Sequence, residues 1–149
     1  MVQFANDGRP LPRPTPVSQP YFDAAAKGEL RLQRCPRHGV FFYPRSVCPV
    51  CWGTDWEWEV LSGRGAIHSF TIDRVGHEPG LASGVPFCIA LVDLAEGARV
   101  PANIVECPVE GVRVGLPVEA VFERVTAAGG EEVALLRFRP SDEGAGSRS

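Results

Sequence analysis

The sequence predicts a mostly β protein: an N-terminal arm with one short helix, then a ribbon, then a small barrel. Three observations carry that reading. Two turns that share a Cys-Pro start, Cys35-Pro36-Arg37-His38-Gly39 and Cys48-Pro49-Val50-Cys51-Trp52-Gly53, punctuate a run of alternating residues. From Gly63 onward the chain is a series of short alternating segments cut by Glu96-Gly97, Gly111 to Pro117 and Gly129-Gly130, the turn chemistry of an all-β domain. A helical pattern occurs after Pro20, in a stretch too short to change the class.

At the start of the chain, Pro10, Pro12, Pro14, Pro16 and Pro20 disfavour a regular helix or central strand, since proline lacks an N–H and clashes inside a helix. An extended arm is expected there. Pro20-Tyr21-Phe22-Asp23-Ala24-Ala25-Ala26-Lys27-Gly28 reads as a helix with proline in its first turn, glycine at its end, and Tyr21, Phe22 and Ala25 on one face. So short a helix is unstable alone in water and must dock on the rest of the chain or on a partner. Residues 30–34 alternate as a strand into the first turn and 40–44 return from it. Trp56-Glu57-Trp58-Glu59-Val60 puts both indoles on one face and both carboxylates on the other, a pair suited to covering the ribbon. Barrel strands are expected at 65–74, 87–94, 100–106, 118–125 and 133–139, with Val118, Ala120, Phe122, Leu136 and Phe138 turned inward. Five short strands with a longer link between the third and fourth fit a Greek-key barrel of the OB type. The boundaries are an arm and helix at 1–29, the ribbon at 30–60, the barrel at 61–140 and a polar, disordered tail at 141–149.

Both turns offer soft or borderline ligands at i and i+3. Together Cys35, His38, Cys48 and Cys51 make a tetrahedral Cys3His zinc site, with Gly39 and Gly53 placed to supply the left-handed backbone such turns need. Four protein ligands leave the ion no open position, so the zinc is structural and does not specify a reaction. The remaining cysteines, Cys88 and Cys107, lie in apolar strand contexts and read as reduced core residues.

The chain has 149 residues and a formal net charge of -3, which argues against a protein whose main work is holding nucleic acid. Locally the balance reverses: Lys27, Arg31, Arg34, Arg37 and Arg45 surround the first turn, a surface that could meet phosphates or an acidic partner. Nothing resembles a membrane span, and the opening residues have no leader pattern, so a cytoplasmic protein is expected. There is no Gly-x-Ser-x-Gly elbow, phosphate loop or dinucleotide fingerprint, and no catalytic residue is assigned. His68 shares a strand face with Ala66, Phe70 and Ile72 and reads as a hydrogen-bonded, partly buried histidine. Asp73 and Asp93 read as surface carboxylates. His77 lies in the long glycine-rich link after Arg74, a loop that borders the ligand face in OB folds.

The helix beginning Tyr21-Phe22, the two knuckles, the run Leu61-Ser62-Gly63-Arg64-Gly65-Ala66-Ile67-His68-Ser69-Phe70-Thr71, then Ile89-Ala90-Leu91-Val92-Asp93-Leu94, Glu96-Gly97 and Arg137-Phe138-Arg139-Pro140 resemble the acyl-CoA-associated OB-fold proteins with a rubredoxin-like zinc ribbon. The likeness runs from Tyr21 to Pro140 and departs from the usual pattern at His38, where the first knuckle ordinarily has a second cysteine. It implies a non-catalytic accessory subunit that binds a thiolase-fold enzyme, such as a thiolase or a lipid-transfer-protein-type aldolase, or a MaoC-type hydratase. Such a subunit helps form the channel for the acyl-CoA thioester, with sterol side-chain degradation as one concrete setting. Arg37, Arg45, Arg74 and His77 are then the candidate contacts to CoA or the partner. The competing reading from the residues is a free-standing OB protein that binds single-stranded nucleic acid, and a third is a small enzyme working through His77 or Asp73.

Overall fold

A computed structural model of the chain describes residues 3–5, 8–76 and 85–141. Its elements are β1 (Gln3–Phe4), β2 (Pro10–Leu11), α1 (Gln19–Ala26), β3 (Arg31–Cys35), β4 (Gly39–Phe41), β5 (Glu57–Val60), β6 (Arg64–Asp73), β7 (Phe87–Leu94), β8 (Arg99–Ile104), β9 (Pro117–Thr126) and β10 (Glu132–Pro140), with a short 3-10 turn at Val109–Gly111. No helix among the described residues is long and apolar enough to cross a membrane.

The barrel strands pair in the closed order β10-β8-β7-β6-β9. Every pairing is antiparallel except the short β8–β10 seam, where Arg137 lies beside Asn103 and Phe138 beside Ile104. That parallel closure is what a five-stranded Greek key requires when its last strand returns beside the third. The inward positions on alternate residues are apolar. Val92, Val100, Val118, Ile67 and Phe138 are all buried in one cluster, joined by Leu30, Leu32 and Leu61 from the ribbon side. The ribbon itself is a three-stranded sheet, β4-β3-β5, with a smaller core of Cys35, Phe41 and Cys48 against Cys51 and Trp56. The paired indoles meet edge to face, with ring centroids 5.8 Å apart; Trp56 covers the ribbon core and Trp58 packs on the main one.

The N-terminal segment is more folded than its prolines suggest. β1 and β2 form a two-residue hairpin, Ala5 bridges Ala127, and Ala5 and Leu11 are buried against Val125 and Ala127 of the β9–β10 hairpin. Proline tolerates this because the ladder is a short edge. α1 ends as expected. Gly28, at φ 81, lets the Gly28 and Glu29 N–H groups bond the carbonyls of Ala25 and Ala24 in a Schellman arrangement. Its apolar face is spoken for: Tyr21 and Phe22 belong to the main core beside Leu136 and Phe138. The two docking choices left open by the sequence resolve in favour of the chain's own barrel.

β6 departs from the simple alternation. A bulge between Ile67 and Ser69 shifts the register, so His68 leaves the face it would share with Phe70 and Ile72. His68 is consequently exposed, with its side chain 43% accessible and Nδ1 3.3 Å from Asp93 Oδ2, rather than partly buried. Phe70 lies opposite buried Ala90 but is itself 37% exposed. Asp73 and Asp93 lie toward opposite ends of the β6–β7 ladder. Asp73 accepts the N–H groups of Val75 and Gly76, while Asp93 binds Arg99 at 2.6 Å.

Candidate metal centre and its surroundings

β3 delivers Cys35 to the ribbon tip, and the β3–β4 turn swings His38 back toward it. Gly39 makes that turn possible at φ 81, a conformation that a side chain would strain. The second knuckle brings Cys48 and Cys51 opposite. The four ligand atoms lie within 4.8 Å of one another. Cys35 Sγ is 3.7 Å from Cys51 Sγ and 3.8 Å from His38 Nδ1, and Cys48 Sγ is 3.9 Å from the same nitrogen. A tetrahedral zinc with Zn–S bonds of about 2.3 Å and a Zn–N bond of about 2.1 Å has ligand–ligand edges of roughly 3.6–3.8 Å. The donor set and its spacing therefore fit a bound ion, with histidine offering Nδ1.

The surroundings favour thiolates. Val50 N–H points at Cys48 Sγ at 3.4 Å, and the Arg37 guanidinium lies 3.4 Å from Cys51 Sγ. Arg37 above all, then the Gly53 backbone, holds the Cys51 thiol down at about 6. Arg37 is in turn fixed by a two-pronged bond to Asp55, at 2.9 and 2.7 Å, so an outer carboxylate orients the cation that faces the metal ligand. Gly53 has a different role from the one its sequence position suggests. The residue with left-handed backbone in this knuckle is Trp52, at φ 64. Gly53 instead leaves room for the Arg37 guanidinium: a Cβ there would lie 2.5 Å from it and 3.3 Å from Cys51 Sγ, so the arginine would have to shift. A non-glycine residue held in the left-handed region costs about 1–2 kcal/mol.

The remaining candidates do not converge. Arg37 is committed to Asp55 and Cys51. Arg45 donates to the carbonyls of Tyr43 and Phe42, and its own N–H is held by Gln33 Oε1. Arg74 is exposed just past the end of β6, so the length of that strand, about 30 Å, separates it from the ribbon junction. His77 lies outside the described residues. The basic surface around the first knuckle is largely balanced: Arg34 grips Glu59 at 2.6 and 2.8 Å, Arg31 meets Glu29, and Arg37 meets Asp55. Asp55 and Glu59 face these arginines only across the folded ribbon, and opposite charge on separate segments is a weak sequence signal.

Comparison with known proteins places both halves. Residues 22–57 match the ChsH2 rubredoxin-like zinc ribbon domain and residues 58–123 the ChsH2 C-terminal OB-fold domain. Over 111 residues the chain is 35% identical to a DUF35 domain-containing scaffold protein of Methanocaldococcus jannaschii, covering 72% of this chain and 78% of that protein. It is 31% identical to a probable enoyl-CoA hydratase alpha subunit of Thermomonospora curvata, over 89% of this chain but 40% of that one. It is 34% identical to the benzoylsuccinyl-CoA thiolase subunit BbsA of Thauera aromatica, over 53% of this chain and 54% of the relative. Among solved structures, a chain of the Ltp2-ChsH2(DUF35) aldolase superposes with a TM-score of 0.69 at 29% identity, covering 87% of this chain and 98% of that chain.

Proposed function

Because the chain belongs to the ChsH2 (DUF35) family of zinc-ribbon and OB-fold proteins, we propose that it is a non-catalytic accessory subunit of an acyl-CoA-processing enzyme. The partner is a thiolase-fold enzyme, thiolase or aldolase, with a MaoC-type hydratase as the variant, and the chain helps shape the passage for the acyl-CoA thioester. The observation that carries this is the metal centre. Its donor set is complete, so the zinc it would hold braces the ribbon and leaves no coordination position for a substrate. The names of the relatives support the same reading, since the hydratase and thiolase proteins are subunits and the aldolase joins two proteins.

This chain's own residues supply position rather than bond-breaking. Arg37 and Asp55 hold Cys51 in ligand geometry, Tyr21 and Phe22 fasten the ribbon side to the barrel, and the barrel presents its outer faces to whatever docks. Arg45, Arg74 and His77 remain the proposed contacts to CoA phosphates or to the partner, while Arg37 would have to leave Asp55 to serve. The paired state of the ribbon arginines disfavours a nucleic-acid role, which needs unpaired cations along a groove. Sterol side-chain degradation and a cytoplasmic setting belong to the same proposal.

The purified chain alone is expected to show no turnover of acyl-CoA thioesters, and adding it to its enzyme subunit should raise that subunit's kcat/KM. Turnover by the isolated chain, abolished by His77→Ala, would put an enzyme reading in its place.

A further inference from the structure

The Cys3His cluster is lopsided. Cys35 and Cys48 are each 1% exposed and form its inner edge, whereas Cys51 is half-buried and His38 exposed, so the edge facing water carries one oxidisable sulfur. That sulfur has a second sulfur behind it, since Cys51 Sγ lies 3.7 Å from Cys35 Sγ. It also has a cation beside it. Arg37 Nη2 donates to Cys51 Sγ at 3.4 Å, and the guanidinium is open to water yet held in place by Asp55. Oxidation of a cysteine pair to a disulfide needs an accessible thiolate, an electropositive neighbour and a resolving sulfur within reach. Cys51, Arg37 and Cys35 supply those parts in that order. Cys88, by contrast, is 1% exposed, and burial pushes its thiol up, the setting of an inert cysteine.

We propose that Cys51 is an oxidation site, and that a hydroperoxide converts Cys51 and Cys35 into a disulfide that ends the cluster's hold on zinc. The Cys51 thiolate attacks one oxygen of hydrogen peroxide. The O–O bond breaks, Cys51 becomes a sulfenic acid, and hydroxide departs past the Arg37 N–H groups. The Cys35 thiolate then attacks the Cys51 sulfur, the S–O bond breaks, and a second hydroxide departs. Two thiolates have together given two electrons to one peroxide, and a disulfide joins β3 to the second knuckle. Because the thiolate is the form that ligates metal, the oxidised cluster keeps only His38 and Cys48 as donors and cannot retain the ion. The knuckles then lose what braces them. Nothing in this step requires an enzyme partner, so it stands or falls apart from the accessory-subunit reading.

The test is to add millimolar hydrogen peroxide to the zinc-loaded chain and follow zinc release with a chromogenic chelator, while peptide mass spectrometry maps the sulfurs. Zinc release should keep pace with a Cys35–Cys51 disulfide, dimedone should trap a sulfenic acid at Cys51 before any other cysteine, and a dithiol with added zinc should restore the cluster. Cys51→His keeps four donors of zinc-binding type without the outer sulfur, and should release zinc about tenfold more slowly than wild type. The dimedone map of the wild-type chain decides the matter even if that variant holds zinc poorly. A first label on Cys35, Cys48 or half-buried Cys107, or a disulfide other than Cys35–Cys51, would overturn the assignment. So would zinc release from Cys51→His at the wild-type rate, or a wild-type chain that keeps its zinc and its reduced sulfurs under peroxide.

Discussion

Replacing Cys48 by alanine is expected to unfold the ribbon while the barrel persists. The ribbon core consists of Cys35, Phe41 and Cys48 with Cys51 and Trp56 packed on them, so three of its five members belong to the cluster that could hold a metal ion. Leu32 and Trp58 tie β3 and β5 to the main core, but so few apolar contacts at the knuckle end cannot offset the ordering entropy of the two knuckles. The ion must, and structural zinc in small peptides contributes about 10–16 kcal/mol at neutral pH. Cys48 is buried at 1% exposure, and its thiolate accepts the Val50 N–H besides facing His38. Elemental analysis should fall from one zinc per chain to none, and amide exchange should become fast across the two knuckles and β4 while β7 and β8 stay protected. A Cys48→Ala chain that keeps full zinc and slow ribbon exchange would contradict the site.

The second large effect belongs to Phe22→Ala. Phe22 is 8% exposed and meets Tyr21 edge to face with ring centroids 4.9 Å apart, inside the cluster that includes Leu136 and Phe138. Truncating a buried phenylalanine costs about 3–5 kcal/mol through lost transfer energy and the cavity left behind. For a chain of this size that lowers the melting temperature by roughly 10 °C, which a thermal melt of the isolated protein would read directly. If the melt were unchanged and partner binding alone fell, the helix would be a docking element after all. The same burial warns against removing residues up to Lys27 to probe partner binding, because that deletion strips the barrel core as well.

The parts of the fold legible in the sequence were those fixed by local chemistry. The clustering of Cys35, His38, Cys48 and Cys51 was readable from spacing, and the barrel strands from alternation and glycine punctuation, each to within a residue or two. What escaped was set by partners distant in sequence. Arg37 looks like a free cation until the ribbon closes and brings Asp55 to 2.7 Å. The bulge at His68 arises from pairing with β7, and no residue in β6 announces it. Gly53 looks like the flexible residue of its knuckle, yet the left-handed position falls on Trp52, and the space a side chain at Gly53 would take is occupied by the Arg37 guanidinium. The arm looks extended because prolines exclude helix, although Ala5 and Leu11 find burial on the distant β9–β10 hairpin.

The central claim is that this chain works as a subunit, and the mass of the species it forms tests it most directly. The chain co-expressed with a thiolase-fold or hydratase subunit from the same genome would be run on size exclusion with light scattering. Co-elution as one complex of fixed stoichiometry, stable on dilution, is the predicted result. A lone monomer beside every such subunit, combined with single-stranded DNA or RNA binding that weakens steeply with salt, would contradict the account and replace it with a nucleic-acid function.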